Sequence, residues 1–129
     1  MRYIITERQY RLLVENEDLN IDIEQDDVSL TIYIKVGDTS VGEIILEKEG
    51  KNTFTIVDAN ISPDYRGKGL YYKSIFKIFD VLPNIKINSL FRSGDAERSW
   101  KSLIKKLPEY LEVNVDRQPE TTIYQIKRK

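Results

Sequence analysis

Neither cysteine nor histidine occurs anywhere in the 129 residues. Their absence excludes disulfides, thiol nucleophiles and every metal site built on thiolate or imidazole, so no metal is expected. Acid–base work must fall to carboxylates, tyrosines, lysines, the backbone or ordered water. Long apolar runs are missing too: no window approaches the roughly 18 residues of a membrane-spanning helix. The opening, MRYIITERQYRLL, has no extended apolar core and no small-residue cleavage site, which argues against a secretory leader. A cytoplasmic protein without a membrane partner is the expectation. Excess charge of one sign is also lacking, since 20 Lys and Arg stand against 21 Asp and Glu. Nothing global recruits nucleic acid or an anionic bilayer, so an electrostatic partner has to meet a local patch.

What is present fits a single domain over residues 1–129. A chain with 40% hydrophobic and 32% charged residues can fold around one core. RYIIT reads as a strand, and Thr6-Glu7-Arg8-Gln9 has the spacing of a capping box. Tyr10, Leu13 and Val14 then give a helix its apolar face, with its end near Asn16. ENEDLNIDIEQDD, residues 15–27, holds seven acids and no base and reads as a short helix or an irregular arm. VSLTIYIKV alternates cleanly, with Val28, Leu30, Ile32, Ile34 and Val36 on one face. Gly37-Asp38 turns it into VGEIILEKE, and Gly50 turns that into NTFTIVDANI, the third strand of an antiparallel meander.

Leu70, Ser74, Ile75, Ile78, Phe79 and Leu82 recur at helical spacing until Pro83-Asn84. IKINSLF follows as a strand. Ser93 or Asp95 can cap the helix AERSWKSLIKKL, which turns Trp100, Leu103, Ile104 and Leu107 to the core and stops at Pro108. YLEVNV and TTIYQIK form a hairpin across DRQPE. The unit over residues 53–91 should be a right-handed parallel crossover, and the other pairings antiparallel. The expected class is α+β, a mixed, mostly antiparallel sheet with helices on both faces.

The stretch SPDYRGKGLYYKSIF places Arg66, Gly67, Lys68 and Gly69 where a helix begins. A helix start exposes backbone N–H groups and the positive end of its dipole, and both attract anions. Glycines let the backbone approach phosphate oxygens and take positive φ. Arg66, Lys68 and Lys73 add charge. The alternatives are a phosphate cradle and a plain strand-to-helix turn. A nucleotide P-loop is disfavoured by spacing, because G-x-x-x-x-G-K-[ST] is absent.

ISPDYRGKGLY resembles the acyl-CoA pyrophosphate loop of the GNAT superfamily of N-acetyltransferases, Gln/Arg-x-x-Gly-x-Gly/Ala after a strand. Arg66 matches the first position and Gly69 the second. The element order resembles the family over nearly the whole chain, and AERSWKSL resembles its next helix, with Ala96 at the small position. The resemblance implies acetyl-CoA as co-substrate, held by Ile61, Arg66, Gly67, Lys68, Gly69, Leu70 and Tyr71, with strand 58–62 splayed to bond the pantetheine arm. It implies transfer of the acetyl group by direct attack of a small-molecule or protein amine, with no enzyme nucleophile.

Asp58 and Asn60 share a strand face beside the implied thioester, so either could relay the amine's proton; the alternative is a strand-end pair bonded to loops. Two positions depart from the pattern. Tyr71 stands where the family has Gly or Ala. Trp100 stands four residues after Ala96, where many members carry a tyrosine as general acid, and an indole N–H is far too weak an acid to replace it. Tyr72, Tyr110 or water could serve instead. Arg98, Lys101, Lys105 and Lys106 could grip the 3′-phosphate of CoA or form a solvated face, and the acids of 15–27 fall where the family builds its acceptor site. The rival reading is a catalytically inactive GNAT-fold binding or structural module. IITERQYRLLVE resembles openings of small tailed-phage proteins, which would make it a phage accessory protein in host cytoplasm. A nucleic-acid-binding domain is the reading that the near-neutral charge disfavours.

Overall fold

The computed structural model describes residues 19–89, 94–119 and 122–129. The readings of RYIIT, the capping box, the Tyr10–Val14 helix, the phage-like opening, the Ser93 cap and the side chains of Asp95 and Ala96 lie outside the described residues.

Four consecutive strands form an antiparallel run: β1 (Leu19–Gln25), β2 (Ser29–Val36), β3 (Thr39–Lys48) and β4 (Thr53–Ile61). Helix α1 (Leu70–Val81) crosses from β4 to β5 (Lys86–Asn88), which pairs parallel with β4. Helix α2 (Gly94–Lys105) leads to the hairpin of β6 (Leu111–Arg117) and β7 (Thr122–Arg128). The spatial order is β1-β2-β3-β4-β5-β7-β6. This is an α+β fold on a mixed, mostly antiparallel sheet, with the parallel crossover where the hydrophobic pattern put it. Leu30, Ile32, Ile34, Ile44 and Leu46 are fully buried, as are Ile75, Ile78 and Phe79 of α1 and Leu103 of α2. Burying such a side chain contributes about 1.5–3 kcal/mol, so this layer carries the stability of the sheet.

The acidic segment corrects the sequence reading: residues 19–25 are a strand, neither helix nor irregular arm. Leu19, Ile21 and Ile23 oppose Val36, Ile34 and Ile32, extending the core face of β2. The intervening acids point the other way, where Asp22 pairs with Lys35 at 2.6 Å and the Tyr33 hydroxyl donates to Glu24 at 3.1 Å. Those contacts push the Lys35 ammonium and the Tyr33 phenol upward in pKa, by hydrogen bonding first and by charge second.

Asp26 makes the β1–β2 turn. Its carboxylate accepts the N–H groups of Val28 and Ser29, each at 2.8 Å, which hold its pKa below the ordinary 3.8. A depressed carboxylate contributes stability that is complete above its unfolded value and lost as pH falls through the folded one. The stability gap between wild type and Asp26→Asn should therefore be constant near neutrality and shrink as pH drops below 3.8. Urea melts along a pH series would show this; a gap unchanged into acid would mean the carboxylate's charge contributes nothing.

Candidate functional site

β4 begins as a core strand, with Phe54, Thr55 and Ile56 buried. It then loses its neighbours one side at a time. Against β3 the register slips, because Leu46 opposes Ile56 while Ile45 opposes Asp58. Val57 is the extra residue of a bulge, 41% exposed. Against β5 the pairing runs only from Thr53↔Lys86 to Thr55↔Asn88. Among the described residues, Ile56 to Ile61 of β4 pair on the β3 side alone.

The direction of the remaining backbone groups follows from alternation in an antiparallel ladder. Ser62 N–H donates to Val41 O at 2.8 Å, so Asn60 and Asp58 also bond toward β3. Ala59 and Ile61 turn their N–H and C=O groups into the gap. The chain itself uses one of them: Arg66 Nε donates to Ile61 O at 2.9 Å, folding the following loop back onto the strand. Gly42 lets β3 approach this end of β4, since a Cβ there would collide with the Asn60 carbonyl oxygen.

Between β4 and α1 lie a single 3-10 turn, Pro63–Tyr65, the extended Arg66, and Gly67-Lys68-Gly69. Gly67 and Gly69 have φ of 77° and 75°, the left-handed region where a side chain is strained. Gly69 is the N-cap of α1, no side chain caps that helix, and no acid stands in its first turn. Such a helix start presents N–H groups and positive dipole to whatever lies before it.

An open groove of about 1060 Å³ runs past this point, between the free edge of β4, the start of α1 and one face of α2. Arg66, Lys68, Lys73, Arg98 and Lys106 line it, and among the described residues no carboxylate does. In a chain of net charge −1, these five side chains make a local concentration of positive charge. Lys68 also lies over the Tyr65 ring, 5.4 Å from its centroid.

All of the sequence-predicted cofactor positions, Ile61 and Arg66 to Tyr71, line this groove, and so do Asn60 and Tyr72. Asp58 does not; it is exposed on β4, one strand repeat from Asn60. Lys101 and Lys105 do not line it either, which corrects the four-residue basic set to Arg98 and Lys106. These two flank Ser102 at i, i+4, i+8, the spacing of one helix face, and that spacing could have separated them from Lys101 and Lys105. Trp100 is a core residue, 3% exposed and stacked on Tyr124 with centroids 5.8 Å apart. Tyr110 is outside the groove, under Arg128 at 4.8 Å. Ala59, Tyr65, Ser99 and Ser102 line the groove without having been singled out. Among the described residues no carboxylate cluster could hold a metal, and no helix is long and apolar enough to cross a membrane.

A sheet splayed beside a parallel crossover, with a glycine-rich loop feeding an uncapped helix, is the architecture of the GNAT superfamily of N-acetyltransferases, and the chain has that fold. No family model and no curated protein matches the sequence. Solved structures are similar in fold. An acetyltransferase from Thermus thermophilus is similar with a TM-score of 0.58 and 12% identity, over 81% of this chain and 66% of its own. The ribosomal-protein-S18-alanine N-acetyltransferase of Escherichia coli is similar at 0.54 and 13%, over 96% of this chain and 76% of its own. The PaiA N-acetyltransferase of Thermoplasma acidophilum, solved in complex with coenzyme A, is similar at 0.53 and 15%, over 79% and 62%. The chain thus spans 66% and 62% of the Thermus and Thermoplasma proteins.

Proposed function

We propose that this chain binds acetyl-CoA in the groove and transfers its acetyl group to an amine. The observation that carries the reading is the lining: five cationic side chains, and no carboxylate among the described residues, around two left-handed glycines at a helix start. CoA fits that chemistry, with phosphates for the cationic end and amides for the open edge of β4. The backbone from Gly67 to Leu70 would hold the pyrophosphate, with Arg66 and Lys68 beside it. Ala59 and Ile61 would bond the pantetheine arm through the groups they turn into the gap.

Bound acetyl-CoA supplies the activated thioester carbon; the amine forms the C–N bond as the C–S bond breaks and sulfur leaves with the electron pair. The amine's proton would leave through a water ordered by Asn60, which lines the groove, and pass to Asp58 one strand repeat away on the same face. The bulge at Val57 bends β4 from its β3 side, next to the stretch along which that acyl group would lie.

A second reading has an observation of its own. The residue at the family's acid position is Trp100, stacked in the core, which fits a module that keeps the fold for binding and has lost the chemistry. Calorimetric titration with acetyl-CoA should show saturable binding in the micromolar range; none at high micromolar ligand would sink both the enzyme and any CoA-binding role. Thiol release with a panel of amines then separates the two: turnover supports the transferase, and binding without turnover supports the module.

A further inference from the structure

We infer that Tyr72 and Lys106 act as one unit, a bridge between α1 and α2 that fixes an ammonium and a phenolic hydroxyl at the phosphate end of the groove, so that both residues position the ligand's anion. The inference rests on the CoA-binding reading and deepens it, assigning Tyr72 to anion binding in place of proton donation.

Tyr72 is the third residue of α1. Helical side chains lean toward the helix N-terminus, and this one lies against Gly69: a Cβ there would come within 2.6 Å of Tyr72 Cε1 and Oη. Gly69 therefore serves twice, once for its left-handed backbone and once for the ring. Phe76, one turn on, supports the ring from the other side with centroids 5.7 Å apart. The hydroxyl thus lies beside the helix start, where the phosphate cradle would be.

Lys106 arrives from the opposite wall. It follows the last residue of α2, and its N–H bonds Leu103 O at 3.1 Å in a tightened final turn. Its ammonium donates to Tyr72 Oη at 3.1 Å and lies 4.8 Å from the Tyr72 ring centroid. Hydrogen bond and cation–π attraction together restrain a side chain that otherwise has large rotamer freedom. A phenol that accepts one hydrogen bond keeps its own O–H to donate, and an ammonium has three donors. The bridge can therefore offer both N–H and O–H to a phosphate oxygen without being broken. Both residues line the groove.

The test is a double-mutant cycle read by calorimetry with two probes, CoA and pantetheine, which lacks the phosphates. Lys106→Met should weaken CoA about tenfold, the size of one lost charge-assisted hydrogen bond. Tyr72→Phe, which keeps the ring on Gly69, should weaken it by roughly threefold to tenfold. The double variant should be no worse than Lys106→Met by more than about twofold, because coupled residues are non-additive. Lys106→Arg should recover most of the loss, the salt dependence of CoA binding should flatten in Lys106→Met, and pantetheine should be indifferent to every change. Strictly additive effects, equal losses on pantetheine, or unchanged CoA affinity would each overturn the bridge while leaving CoA binding intact. Wild-type protein that binds no CoA would overturn bridge and parent reading together. Thermal melts of each variant separate lost affinity from lost fold.

Discussion

Gly69→Glu will abolish CoA binding, and Gly69→Ala will weaken it by at least about tenfold. The alanine change carries two penalties. A side chain at φ of 75° costs about 1–2 kcal/mol, itself about 5- to 30-fold in affinity if strain is relieved by moving the loop. The new Cβ would also sit 2.6 Å from the Tyr72 ring and hydroxyl, pushing that ring off the helix start. Glutamate adds a carboxylate beside Arg66 and Lys68 at the helix start. Gly67→Ala is the comparison: its φ is 77°, but nothing lies within 4 Å of a Cβ there. It carries the backbone penalty alone and should lose only several-fold. Titration with CoA, alongside thermal melts, measures all three. If Gly69→Ala binds like wild type, or if the two alanine variants lose equally, the ring–glycine contact has no part in the site.

Trp100→Ala will be the most damaging single change to stability, costing about 3–5 kcal/mol, the range for emptying a large aromatic from a core. Trp100 is 3% exposed and shares a stacked face with Tyr124, so its removal leaves a cavity between α2 and β7. Urea unfolding should show the loss as a lowered midpoint. Fully folded Trp100→Phe, which fills most of the space, should bind CoA as wild type does. A drop in CoA affinity with stability preserved would place Trp100 in the site and contradict its assignment to the core.

The fold is readable wherever periodicity and punctuation agree. Leu30, Ile32 and Ile34 announce β2 by strict alternation, and Leu70 to Phe79 announce α1 by helical spacing and the proline after it. Reading residues 15–27 as helix or arm misses β1, although Leu19, Ile21 and Ile23 alternate just as well. Two of the three residues on the polar face of that strand, Asp22 and Glu24, are acids, and the acids around it hide the period. The acids are there because one face of the strand points away from the core, where Lys35 and Tyr33 receive them. The candidate site is readable where it is one continuous peptide: Arg66 to Gly69 are adjacent, and the glycines need positive φ whatever surrounds them. Lys106 and Arg98 reach the groove only because α2 packs across from α1, which local sequence does not encode. Strand alternation links Asp58 to Asn60, but alternation names a face and not the groove.

The short pairing of β4 with β5 has one more consequence. Among the described residues only Thr53, Phe54 and Thr55 of β4 pair across that seam, and beyond them Ala59 and Ile61 turn backbone groups toward the groove. A ligand with amides of its own would behave there as a guest strand, closing a sheet that the chain leaves unfinished. Binding energy would then be recovered as cohesion between the two halves of the molecule. Any change that zipped β5 further along β4 would give a sturdier protein with no room for such a guest.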